Sequence, residues 1–282
     1  MRKPSLYPQS SVQYSTAPFR LLQLLNLAGF LGTLVVNYLA NGLPINGKTT
    51  GELSEQYPNL FTPAGLTFSI WGVIYLMLAA FCVYQAQGFF SSNRQGDHRP
   101  LVRKVGYLFF FSCLANMGWI IAWHYEKVGV SVVIMAVLFF CLLQMYLRLR
   151  HGETGTWQEK YLVQMPFRVY LGWISVATIA NITAWLVDSG WSGGTLSEQT
   201  WAIGMVGVAT LLGLFMLIKL RDHAFALVIA WALLGILIKR QAVSGGVLTP
   251  LSMFTIVCMV LLAVSLLLVI SGRLRQPMKR MV

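Results

Sequence analysis

Apolar residues recur along this chain in runs of about 20, separated by short polar segments, from residue 19 to residue 271. A helix rises about 1.5 Å per residue, so a run of that length crosses a hydrocarbon core of about 30 Å. The pattern predicts eight membrane-spanning helices, at 19–42, 66–87, 104–124, 128–148, 168–187, 201–220, 223–240 and 250–271. The seventh is the weakest. Its uninterrupted apolar stretch, 224–238, has 15 residues, about 22 Å of helix, and spans only with snorkelling ends or local thinning. The expected fold is all-α, a polytopic transmembrane helix bundle.

Composition agrees and excludes the soluble classes. The 282 residues are 56% hydrophobic and only 11% charged, where a soluble domain carries about 25% charged residues. The formal charge of +12 is spread in short clusters between apolar runs and forms no continuous stripe, which argues against a nucleic-acid partner and for anchoring on one side of a lipid bilayer. With both ends on the same side and eight spans, 17 of the 21 basic residues lie on that side, leaving only Lys48, Lys127, Lys239 and Arg240 on the other. Dropping the short seventh span would carry the basic tail across, against the positive-inside rule. Both termini are therefore expected in the cytoplasm, and the spans in a plasma membrane.

Four organisational units follow. Residues 1–18 form a polar N-terminal cytoplasmic segment, and 19–188 a five-helix unit. Within it, residues 43–65 form a long Gly- and Pro-punctuated outer loop of the length that usually makes a lid. A Ser/Gly stretch over 188–197 separates a three-helix membrane extension at 196–272, followed by a basic tail at 273–282. No sequence repeat relates the two helical parts, which weakens an inverted-repeat transporter.

Unusual residues concentrate in the first five spans. Phe68, Trp71 and Tyr75 lie on one face of the second; Ser112, Asn116, Trp119 and Trp123 on one face of the third; Tyr170, Trp173, Ala177, Asn181 and Trp185 on one face of the fifth. The first span adds Asn26, Thr33, Asn37 and Asn41. Under the expected topology the polar and aromatic stripes share the outer half of the membrane, beneath the long loop. An amide facing lipid is costly, so these asparagines are expected to face protein or ligand. Aromatic walls with a few polar anchors make a small-molecule pocket. Trp157, Trp191 and Trp201 read instead as interfacial belt residues.

Signs of catalysis are sparse. The nine acidic residues and four histidines fall in loops or at span ends, and the four cysteines are scattered one per apolar run. His124, closing the third span, reads as a solvated interfacial residue rather than a haem ligand, and Lys239 and Arg240 as snorkelling ends. The residues alone leave three readings open: a ligand-binding receptor, a small-solute transporter, or a membrane scaffold. Catalysis is disfavoured, and no metal or firm cofactor is implied.

The stripes themselves resemble a known pattern. Phe61-Thr62-Pro63 leading through Phe68-Ser69-Ile70-Trp71 to Tyr75, the pair Asn116 and Trp119, and the run Trp173, Ala177, Asn181 and Trp185 with Tyr170 one turn earlier are similar to the TspO/translocator protein family, the tryptophan-rich sensory proteins of bacteria. The resemblance covers about residues 20–187. The chain departs from the family pattern in carrying Leu60 or Phe61, and Gly65, where the first loop has tryptophans, in lacking the sterol-type motif after the fifth helix, and in its three further helices. The resemblance implies a five-helix cavity, covered by the first loop, that binds tetrapyrroles such as protoporphyrin or haem in a bacterial plasma membrane; a homodimer is among the assemblies it allows. Pro63, Phe68, Trp71, Tyr75, Asn116, Trp119, Trp123, Tyr170, Trp173, Ala177 and Asn181 are the expected ligand-binding residues.

The charge asymmetry is directly testable. Topology reporters fused after residue 282 and inserted within 188–197 should give opposite signals, and equal signals would rule out eight spans with both ends inside.

Overall fold

The computed structural model describes residues 17–87, 100–150, 156–191, 194 and 196–273. The expected N-terminal segment up to residue 16 and the basic tail beyond 273 lie outside the described residues. Those described form helices and turns with no strand. The helices are α1 (Ala17–Asn41), a short α2 (Thr50–Glu55) inside the long loop, α3 (Ile70–Ala86), α4 (Pro100–Val105), α5 (Leu108–His124), α6 (Val128–Arg150), α7 (Met165–Asp188), α8 (Glu198–Leu220), α9 (His223–Val243) and α10 (Pro250–Ile270). A 3-10 turn at Gly65–Ser69 leads into α3, and a π turn at Glu159–Gln164 leads into α7. The chain is a polytopic membrane helix bundle.

Seven of these segments are long and apolar enough to cross a bilayer, and the eighth, α5, is shorter. The weak span is thus the third rather than the seventh. Gly106 adopts a left-handed φ of +57° and breaks the expected 104–124 helix, leaving the 17 residues of α5, about 26 Å of helix. Conversely α9 continues through Lys239 and Arg240 to Val243. Lys239 is not simply snorkelling into solvent, since its ammonium lies 3.6 Å from the Glu55 carboxylate of the long loop.

The first five spanning helices close a ring in which α3 packs on α1, α1 on α5, α5 on α6, α6 on α7, and α7 back on α3. Away from the loop the ring is filled by Phe81, Phe109 and Phe167, one each from α3, α5 and α7, whose rings meet edge to face at 5.2–5.7 Å. Helices α8, α9 and α10 pack on one another, and α9 also packs along α7. At one end, Arg168 of α7 pairs at 3.7 Å with the buried Asp222, whose other oxygen accepts the Phe225 N–H and caps α9.

At its other end α9 touches the long loop. Trp231 Nε1 donates to the Thr67 carbonyl (3.0 Å), and the Ala64 N–H donates to the Gly235 carbonyl (3.0 Å). Gly235 is required by this approach: a Cβ there would overlap the Thr67 side chain, 2.8 Å from its Cγ2 and 2.9 Å from its Cβ. No rotation of Thr67 relieves a contact with its own Cβ.

The loop is also pinned to α5, through a residue expected to be solvated. His124 is fully buried. Its Nδ1 lies 3.0 Å from the Ile45 carbonyl and its Nε2 lies 3.1 Å from Thr50 Oγ1. A carbonyl only accepts, so in the neutral ring Nδ1 carries the hydrogen and the Thr50 hydroxyl donates to Nε2. Asn46 Nδ2 donates back to the His124 carbonyl, and Trp123 Nε1 to the Thr50 carbonyl. Both ring nitrogens are engaged, which removes His124 as a metal ligand. The short α2 begins with a reciprocal capping box between Thr49 and Glu52, whose carboxylate the Thr49 N–H holds below its ordinary pKa.

Two outcomes follow. Gly235→Ala should cost about 1–3 kcal/mol by overpacking, read as a lower unfolding midpoint in mild detergent; an unchanged midpoint would mean that α9 does not press on the turn. His124→Ala leaves a buried hydroxyl and carbonyl without partners, at about 1–3 kcal/mol. It should raise hydrogen exchange across residues 45–55 while leaving the core of α7 protected.

Candidate functional site

The site grows out of three helical faces that the ring brings together. The 3-10 turn before α3 supplies Phe68, and the first turn of α3 supplies Trp71 and then Tyr75, stacked on it at 5.5 Å. From α7, Tyr170 and Trp173 approach Trp71 edge to face at 5.8 and 6.2 Å, and from α5 Trp119 approaches it at 6.5 Å. Phe68 meets Trp173 at right angles, and Trp123 stacks on Trp119 at 5.9 Å. Trp71 is therefore the hub of a continuous aromatic surface. The long loop lacks the tryptophans of the resembling family but adds Tyr57, whose ring lies 5.5 Å from Trp123.

A cavity of about 520 Å³, counting its open mouth, lies against this surface. Eight of the eleven expected residues line it: Pro63 from the loop, Phe68 and Trp71 leading into and on α3, Trp119 and Trp123 from α5, and Trp173, Ala177 and Asn181 from α7. The remaining three, Tyr75, Asn116 and Tyr170, do not line it. They stand behind the wall, where Asn116 Nδ2 donates to the Tyr170 hydroxyl at 2.9 Å and Asn116 Oδ1 accepts from Asn37 at 3.0 Å.

Four lining residues were not anticipated: Thr50 and Ser54 from α2, and Val176 and Ala180 from α7. The α7 pair follows from helical spacing, because 173, 176, 177, 180 and 181 share one face. The α2 pair had a weaker signal, the Thr49-x-x-Glu52 capping sequence that starts a helix inside the loop.

Polar groups at the wall are few, and most are committed. Asn181 Oδ1 accepts from Trp119 Nε1 (3.0 Å) and its Nδ2 donates to Ser131 Oγ (2.9 Å), fixing both the amide and the indole. An amide has one further N–H and lone pairs to spare, so Asn181 can still meet a ligand. Trp173 is 2% exposed, and its indole N–H is buried with no acceptor among the described residues. In the loop, burial raises the pKa of Tyr57, reinforced by the charges of Asp188 and Glu126, so its phenol stays neutral across the physiological range.

Other asparagines expected to face protein divide by depth. Asn26 is buried against Gln85 and the Gly106 carbonyl through long contacts of 3.4 and 3.5 Å, whereas Asn41 is exposed at the end of α1 and bonds to the Asn37 carbonyl. Of the expected belt residues, Trp157 is 69% and Trp191 40% exposed, while Trp201 is half-buried against Trp191. The lining carries no carboxylate, imidazole or thiol, and no group of three or more metal-ligating side chains occurs among the described residues. Such a surface can stack on and hydrogen-bond to a flat molecule.

Comparison with known proteins places the chain. A family profile described as TSPO-like protein matches residues 23–270, from α1 to the end of α10, so it also spans the three helices beyond the first five. Searches of curated proteins and of solved structures returned no match. With a match over most of its length, and an aromatic cavity built on the residues that first suggested the likeness, the chain belongs to the TSPO-like protein family.

Proposed function

We propose that this membrane protein is a ligand-binding receptor for flat aromatic molecules of the tetrapyrrole class, protoporphyrin or haem, held in the cavity around Trp71. The observation that carries the reading is the aromatic wall itself: Trp71, Trp119, Trp123 and Trp173 line one cavity, and the buried Trp173 indole N–H has no acceptor among the described residues. Stacking on such rings is worth about 0.5–1.5 kcal/mol per contact beyond the area buried. An oxygen or nitrogen acceptor on the ligand would complete the Trp173 N–H. Asn181, already rigid between Trp119 and Ser131, would orient the ligand's polar edge.

The site lies under the pinned loop, which fits sequestration of an apolar molecule from water. In this reading the loop faces outward, both termini face the cytoplasm, and the ligand arrives from the outer leaflet or the space beyond it. Binding, not turnover, is the activity that the lining supports, since it offers no proton donor or acceptor of catalytic type.

The test is a titration with protoporphyrin in detergent, followed at the porphyrin absorption band so that removing a tryptophan does not alter the signal. Trp71→Leu removes the hub ring while leaving an apolar side chain, and should weaken binding about tenfold, the equivalent of ~1.4 kcal/mol. Trp173→Phe keeps an aromatic face but loses the N–H and the second ring of the indole; its effect should be smaller than that of Trp71→Leu, about 0.5–1.5 kcal/mol. The exposed Trp157→Ala is the control and should bind as the native chain does. Native affinity in a folded Trp71→Leu protein would move the site elsewhere.

A further inference from the structure

A second cavity, of about 470 Å³ counting its mouth, lies at the loop end of the bundle. Residues 58–61 of the long loop form one side, the last turns of α7 another, and the start of α8 the third. Leu60 and Leu186 give it apolar walls. Trp191 and Trp201 line it together, their rings 4.8 Å apart and inclined at 72°, so that two aromatic faces meet at an angle.

Its polar features differ from those of the first cavity. Glu198, an exposed residue at the start of α8, lines its rim and forms no ion pair among the described residues. Trp201 has a buried indole N–H with no acceptor among the described residues. A carboxylate beside angled tryptophan faces disfavours anions and attracts a cation, above all an organic ammonium that both π faces can hold. The unpartnered N–H calls for an acceptor on the same occupant, and the leucines for an apolar body.

We propose that this cavity is a second ligand site, separate from the one around Trp71, that takes an amphiphile with a cationic ammonium head and a neighbouring acceptor. A zwitterionic lipid headgroup and a free amphiphilic amine share that chemistry. The bland account of Glu198 is that a carboxylate in the first turn of a helix complements the helix dipole and needs no ligand. Binding measurements separate the two accounts.

The full chain in a non-ionic maltoside detergent is titrated calorimetrically with benzoylcholine and with dihexanoylphosphatidylcholine, and dihexanoylphosphatidylglycerol serves as the anionic control. Saturable binding of at least one choline probe is expected, weakened at least tenfold by Glu198→Gln and by Trp201→Leu. Protoporphyrin affinity should stay within twofold in Glu198→Gln, so failure of this site and failure of the first are read independently. Benzoylcholine binding identifies a site open to free amines, and binding of phosphatidylcholine alone identifies a lipid headgroup site. The proposal is overturned if neither choline probe binds, if the anionic lipid binds equally well, or if Glu198→Gln binds like the native chain, whether or not its unfolding midpoint falls.

Discussion

Inside a bilayer, a polar side chain without a partner has no water to fall back on, and each such group costs several kcal/mol. That constraint organises this protein. The amides of α1, α5 and α7 answer it by joining into two chains, Asn37 to Asn116 to Tyr170, and Trp119 to Asn181 to Ser131. Each chain ties together three helices of the ring, and each fixes an aromatic ring at the cavity wall or just behind it. The residues that hold the helices in register are thus the ones that set the angle of the aromatic cavity wall. Trp119, held by the Asn181 amide, has its orientation at the cavity wall fixed.

The roof of the cavity is held by a different set of contacts. His124 spends both ring nitrogens on the loop, and Thr50 receives contacts from both His124 and Trp123. On the other side α9 presses on the turn before α3 through Gly235 and Trp231. The turn carries Phe68 and leads directly to Trp71, so a helix more than 150 residues away along the chain supports the cavity wall without lining it. The family match over residues 23–270 is consistent with this arrangement, since α9 lies inside it.

Much of this was legible from one sequence. Period and run length determined the helices and their membrane-spanning character, because lipid admits few alternatives to an apolar helix of about 20 residues. Spacing along α3, α5 and α7 determined which aromatics and amides share a face, because a helix has only one geometry. Eight of the eleven expected residues accordingly meet at one cavity.

Tertiary structure decided the rest. Whether a stripe residue faces the cavity or stands behind it depends on the rotation of each helix in the ring, which is why Tyr75, Asn116 and Tyr170 form a supporting layer. The shortening of the third span at Gly106 rests on a single backbone angle that hydropathy does not register. The burial of His124 and the approach of α9 to Thr67 bring together residues distant in the chain. Neither periodicity nor charge counting carries information about such contacts, because both read only neighbours along the helix, while these contacts are set by which helices the ring places side by side.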